Sequence, residues 1–256
     1  MRPRAWVGLL GLTACGIDAV GAFAGDGGAS VPPGGDVEGG VFVPPPGDGG
    51  LAGGGEASVG VEGGVVASIA WSVVENPGAI DLTAQGTLDW AHWGDHADGT
   101  PVRKATGGAR IGQFVLTNAA CDDNQGPAWT VTASWMDGTA PDSTSPPTDL
   151  HRRVYGKNGT TISVKVACDG ASHVLGIDLG GWSASARFEA GFDNIVTTPA
   201  IADDRGNNGG YFAERYTVTY TCPVGTNLVV SWVATNLPQA TVCSGSDMIL
   251  SSATLR

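Results

Sequence analysis

The feature that most constrains this chain is the unbroken alternation over residues 182–190, where Trp182, Ala184, Ala186, Phe188 and Ala190 take turns with Ser183, Ser185, Arg187 and Glu189. On a helix these five apolar side chains would scatter around the axis. Extended backbone gathers them on one face, because successive side chains of a strand point to opposite sides. The same period recurs in Ile162, Val164 and Val166 against Thr161, Ser163 and Lys165, and in Leu175, Ile177 and Leu179 after an Asp169-Gly170 turn. It returns in Tyr216, Val218 and Tyr220 and in Leu228, Val230 and Trp232, where the intervening Pro223-Val224-Gly225-Thr226 predicts an antiparallel hairpin. Residues 65–74, 79–84, 110–116, 128–135 and 248–255 read as further strands, the first two split by an Asn76-Pro77-Gly78 turn. No window keeps a helical i, i+3, i+4, i+7 spacing. The expected fold is therefore all-β: an antiparallel, jelly-roll-type β-sandwich, galactose-binding-like or immunoglobulin-like, with Trp182 and Trp232 in its core.

Ahead of that region the sequence obeys other rules. Arg2 and Arg4 precede a short apolar run, residues 5–14, which is too brief to span a bilayer permanently and reads as an export signal. Leu12-Thr13-Ala14-Cys15 has the form of a bacterial lipobox, in which small residues suit the signal peptidase site and only a thiol can carry the thioether-linked lipid. Several acyl chains, each contributing ~0.8 kcal/mol per buried CH₂, exceed what stable anchoring needs. Gly16, rather than an aspartate, favours the outer membrane or cell surface. Residues 16–64 concentrate the glycines and prolines of the chain, with Val31-Pro32-Pro33-Gly34 echoed at Val43-Pro44-Pro45-Pro46-Gly47. Such a stretch buries too little apolar surface to offset its ordering entropy, so it is expected to be a disordered tether with a span of about 35–40 Å. The division is thus 1–15 leader and lipobox, 16–64 tether and 65–256 β-domain. A net charge of −12 and the absence of any Lys or Arg between Arg4 and Arg103 exclude a nucleic-acid groove, and leave the lipid anchor as the only expected attachment to a membrane.

Four cysteines follow Cys15, an even count that in an exported chain implies two disulfides. Three connectivities are open; Cys168 and Cys222 each close a strand at a turn, which favours that pair and leaves Cys121 with Cys243. Paired Cys-x-x-Cys spacing for zinc is missing. His92 and His96 stand four apart near Asp89, Asp95 and Asp98, but Gly94 and the strand context spoil a helical metal pair. No cofactor is expected, apart from a structural calcium at the Asp122-Asp123-Asn124 and Asp203-Asp204 loops.

The richest stretch is residues 82–94, Leu82-Thr83 and Gly86-Thr87 leading into Asp89-Trp90-Ala91-His92-Trp93-Gly94, with Arg103-Lys104 after it. Together with Trp135, Asp137-Gly138-Thr139, the strand ending at Ala167 and Asp169, Gly180-Gly181-Trp182, Tyr216 to Tyr220 and Ala253-Thr254-Leu255, it resembles a β-sandwich domain recurring in bacterial secreted and surface proteins, sometimes beside carbohydrate-active or adhesion modules. The chain departs from that pattern in four places. Val166 stands where a proline is expected, cysteines occur at strand ends, Gly191-Phe192-Asp193 replaces Leu-Ser-Asp, and the segment around Cys121 is an insertion. The resemblance implies the fold and a surface setting, and glycan binding by association.

The residues themselves point the same way. Trp90, Trp93, Trp129 and Trp135 offer stacking faces for a sugar ring, and Asp89, His92 and Asp137 offer acceptors for its hydroxyls. His92 equally suits a structural role, fixing Asp89 or a backbone carbonyl. No Gly-x-Ser-x-Gly elbow, ordered Ser, His and Asp, or glycosidase carboxylate pair appears. The expectation is a non-catalytic surface module for carbohydrate or extracellular matrix, with a structural or adhesive protein–protein domain as the alternative and an orphan hydrolase behind both.

Overall fold

The computed structural model describes residues 56–59, 65–125, 129–195, 201–238 and 243–256, all within the unit Gly50–Arg256. The leader, Cys15 and most of the expected tether lie outside the described residues. Thirteen strands and one helical turn follow in order: β1 (Glu56–Val59), β2 (Ala67–Glu75), β3 (Ala79–Asp81), α1 (Leu82–Gln85), β4 (Asp89–His92), β5 (Val102–Arg103) and β6 (Val115–Gln125). Then come β7 (Thr132–Trp135), β8 (Ser145–Thr148), β9 (His151–Ala167), β10 (Ser172–Phe192), β11 (Ile201–Thr221), β12 (Asn227–Asn236) and β13 (Asp247–Leu255). The protein is nearly all-β and, in its main sheet, antiparallel throughout.

The two alternating runs around residues 175–179 and 182–190 are one strand, β10, interrupted by Ser183 in the left-handed region at φ 47°. The pairing with β11 slips there, between Trp182 and Ala184, opposite Asn207–Tyr211. Fully extended, β10 would reach about 65–70 Å. Its ends instead come round to each other. Phe192 pairs with Leu228 and Leu228 with Val166. Two residues on, Cys168 is disulfide-bonded to Cys222, next to Thr221, which pairs with Ser172. The β10–β11 hairpin is therefore folded double at its bulge, and each strand contributes to both layers of a sandwich. One layer holds β1, β2, the C-terminal half of β11, the N-terminal half of β10, and β13; the other holds the remaining halves with β12, β9 and β6. Phe188 of one layer stacks on Tyr216 of the other at 3.7 Å between centroids and 4° between planes, and Trp232 closes on Tyr216 at 6.2 Å. Each such buried side chain contributes about 1.5–3 kcal/mol. β13 lies between β10 on one edge and β4 and β9 on the other, and all nine of its residues are buried.

A small second sheet, β3-β7-β8, packs on the outer face of the first layer, and its β3–β7 pair is parallel. Between them lies a second core of Trp90, Trp129, Trp135, Leu82, Ile249 and their neighbours. Both disulfides have the favoured pairing, Cys168–Cys222 and Cys121–Cys243, and they place the folded region in an oxidising compartment. No helix among the described residues is long and apolar enough to cross a membrane.

Several strand expectations need correction. Residues 216–220 and 228–232 do not pair: β10 lies between β11 and β12, because the other edge of β11 is taken by β2. The turn at 222–226 carries the chain from one layer to the other, a distance of roughly 10 Å, and is cinched by Thr226, whose N and Oγ1 both donate to the Pro223 carbonyl. The strand expected over 79–84 ends at Asp81, whose carboxylate accepts from the Ala84 N at 3.0 Å and caps the single turn of α1. The run 110–116 is not one strand: Ile111 forms an isolated bridge to Val166, and β6 begins at Val115. Trp182 is half-buried rather than core, since the turn of the backbone at Ser183 breaks its parity with Ala184. β1, which falls within the residues 16–64 expected as tether, pairs with an edge of β2.

Candidate functional site

The six residues proposed from sequence as ligand-binding divide between the two faces of β4: Trp90, His92, Trp135 and Asp137 form a buried knot at the second core, while Asp89 and Trp93 meet Ile111 and Phe114 at the main one. Trp90 is fully buried; its ring lies 5.5 Å from that of Trp135, and its Nε1 donates to Asp137 Oδ1 at 2.9 Å. Asp137 also accepts from Thr83 Oγ1 at 2.6 Å and pairs with Lys104. Burial pushes the Asp137 carboxyl up, but the hydrogen bonds from Lys104, Thr83 and Trp90 outweigh it and hold the group below the usual carboxylate range. The Trp135 Nε1 donates to the Asp142 carbonyl at 2.9 Å. His92, also fully buried, sits 5.1 Å from the Trp135 ring and holds Asp95 through Nδ1 at 2.5 Å; it fixes neither Asp89 nor a carbonyl through that atom. Asp89 accepts from the Ile111 N at 2.9 Å, and Trp93 packs edge-on to Phe114 at 6.4 Å.

The expected stacking platform is therefore corrected. Trp90, Trp93, Trp129 and Trp135 are 0, 0, 4 and 2 % exposed, and Asp89 and His92 are both 0 %, so none presents a face to a sugar. The sheet β3-β7-β8, which carries Trp135 inward, covers Trp90, and of the six only Asp137 keeps a partly exposed edge. His92 and His96 do not converge: His96 stands in an exposed loop bonded to Thr100 and Asp142. The calcium expectation also meets occupied oxygens. Asp122 and Asn124 lie on a strand and bind Arg152, while Asp203 binds Arg205 and Asp204 binds Arg187.

A different site opens where the folded hairpin leaves a mouth between the two layers. Glu214 of β11 stands directly opposite Glu75 of β2 in the antiparallel register, so both side chains share a face at close range. That face is the one Tyr216, Val218 and Tyr220 carry into the core. From the facing layer come Asp203 and Arg205. Arg205 donates to Asp203 Oδ2 at 2.7 Å and to Glu75 Oε1 at 3.1 Å, and the Tyr216 hydroxyl donates to the same Asp203 oxygen at 2.9 Å. Glu214 is 5 % exposed and its Oε2 has no hydrogen-bond partner. Burial drives its pKa up, Arg205 pulls it back, Glu75 and Asp203 raise it again, and it rests at about 7. In front of it lies a cleft of about 370 Å³ lined by Glu75, Asp204, Arg205, Asn207, Tyr211 and Glu214. Gly209, whose φ of 118° only glycine adopts freely, lies between the lining residues Asn207 and Tyr211.

Sequence reasoning missed this site because its members are far apart in the chain. One signal was present: Glu214 occupies an even-numbered position in line with Tyr216, Val218 and Tyr220, an acidic group where the alternation asks for an apolar one.

No protein-family model and no curated protein sequence matches the chain. Among solved structures it is similar to TmCBM61 in complex with β-1,4-galactotriose, at 7% identity and a TM-score of 0.32, over 56% of this chain and 87% of that one. It is also similar to the enzymatically active domain of bacteriophage CBA120 tailspike protein 4, at 7% identity and 0.29, over 58% of this chain and 20% of that one. A glycoside hydrolase family 43 arabinoxylan arabinofuranohydrolase from Bacillus subtilis in complex with cellotetraose matches at 14% and 0.27, over 80% and 41%. Likeness of this order identifies no ligand.

Proposed function

We propose that the protein is a non-catalytic, exported module of jelly-roll type, lipid-anchored through Cys15 at the outer membrane or cell surface, that holds carbohydrate or matrix glycan in the mouth of its sandwich. The observation that carries this reading is the cleft itself. Carboxylate acceptors, a guanidinium, the Asn207 amide and the Tyr211 ring line one concave surface, the mixture that hydroxyl-rich ligands require. The resemblance of residues 82–94 to bacterial surface domains agrees with it. Full-length protein on a glycan array is expected to retain a defined set of oligosaccharides, and Tyr211→Ala is expected to release them. Retention of none defeats the reading. Palmitate labelling of the wild type but not of Cys15→Ser tests the anchor, and equal labelling of both overturns it.

The burial of Trp90, Trp93, Trp129, Trp135 and Trp232 favours a second reading, a structural or adhesive domain with a protein partner, because it removes the tryptophan faces that glycan modules use for stacking. An empty array with intact folding is the result that this second reading requires.

A further inference from the structure

We infer that the ligand of the sandwich mouth carries a primary ammonium group, as an amine-bearing sugar does, and that Glu214 is the carboxylate that receives it. This rests on the glycan reading above and narrows it.

The argument is one of charge and satisfaction. Glu75, exposed at the rim, and Glu214, buried behind it, line the mouth with Asp204, and Arg205 is committed by hydrogen bonds to Glu75 and to Asp203 beneath it. Asp204, on the outer wall, is committed to Arg187 at 3.0 and 3.1 Å. Glu214 therefore keeps a buried oxygen with no hydrogen-bond donor and shares the charge of Arg205 with Glu75 and Asp203, a state that costs free energy until a proton or a ligand completes it. Tyr216, the remaining polar group packed here, spends its hydroxyl proton on Asp203.

Three kinds of ligand group are chemically able to complete Glu214, and they are not equivalent. A metal ion wants several converging carboxylates or histidines, and no group of three or more among the described residues is so arranged. A sugar hydroxyl brings one proton and no charge. An ammonium brings a full positive charge and three N–H donors, which suits a site where Glu214 stands opposite Glu75 across the strand pair. The excess of negative charge in the mouth also rejects uronic-acid or sulfated glycans, which would meet Glu75 and Glu214 as like charges. Since pairing with an ammonium needs the ionised carboxylate, affinity should fall as pH drops through the neutral range, and fall again on the alkaline side as the amine loses its proton.

The test is calorimetry on the full-length protein with glucosamine oligomers, the same oligomers N-acetylated, and neutral cello-oligosaccharides. Glucosamine oligomers are expected to bind at least about tenfold more tightly than their acetylated forms, with a bell-shaped pH profile, and Glu214→Gln is expected to abolish that preference. Glu214→Asp, which keeps the charge, is expected to retain the preference at lower affinity. Equal or better binding of the acetylated or neutral oligomers overturns the inference while leaving glycan binding in place. So does an unchanged preference in Glu214→Gln. Failure of every oligosaccharide to bind overturns the glycan reading as well. Acetylation alters the ligand and not the protein, so the comparison stands whatever the variants do to folding.

Discussion

Asp137 and Glu214 are both partly or wholly buried carboxylates at the margin of a packed layer, and they end in opposite states. Asp137 has Lys104, Thr83 and Trp90 donating to it and is held below its ordinary range. Glu214 has an oxygen with no donor and is pushed up to about 7. The first arrangement is complete and holds the β4 region against the small sheet; the second is unfinished and opens onto a cleft. Motif density therefore marks scaffold in this protein, and a lone acidic residue out of pattern marks the candidate site.

The comparison breaks first at Trp90. Trp90→Ala should cost about 3–5 kcal/mol of stability in denaturant titration, because it empties the second core and removes a donor from Asp137. A loss under about 1 kcal/mol would mean that the knot does not hold the fold. Glu214→Gln should move the other way, gaining on the order of 1–3 kcal/mol at pH 8. The sign follows from linkage. The folded state holds the Glu214 proton up to about 7 whereas a free glutamate releases it near 4.5, so wild-type stability declines as pH rises from about 4.5 to 7 and the variant escapes that decline. The slope should become shallower, not flat, because Asp247 is raised to about 6 by burial against the opposing pull of Arg153 and declines likewise. Thermal melts of both proteins across pH 4 to 8, about half a unit apart, measure this.

Asp137→Asn should cost about 1–2 kcal/mol at neutral pH. Its folded pKa is depressed, so the wild-type advantage should persist above the ordinary carboxylate range and vanish only as pH falls through the depressed value. An advantage lost already near neutrality would contradict the donor set assigned to it. The smallest effect sharpens the other side: Asn207→Ala, in the exposed bulge, should change stability by less than about 0.5 kcal/mol while weakening retention on glycan supports.

Much of the fold was legible because alternation is a local property. Thr161 to Val166, Leu175 to Leu179 and Leu228 to Trp232 all lie in strands with the expected residues buried. The disulfide pairing was legible too, since Cys168 and Cys222 flank turns that come together. Strand order was not. The turn after Tyr220 looks like a hairpin in one dimension, and only the occupation of both edges of β11 by β2 and β10 sends the chain to the other layer. The doubling of β10 hides in Ser183, a residue whose type does not announce a positive φ. The site was illegible for the same reason: the pairing of Glu75 with Glu214 is set by register, and Asp203 and Arg205 reach them only after the hairpin has folded over.

The placement of β13 decides the order in which this molecule can be finished. It lies downstream of every strand it joins, yet it fills the slot between β10 on one side and β4 and β9 on the other. Until it arrives, three strands wait with unpaired backbone along that gap, an invitation to the wrong neighbour. A nascent copy must therefore remain unsealed until its late segment is available, and a short peptide matching that segment would act as a poison for assembly.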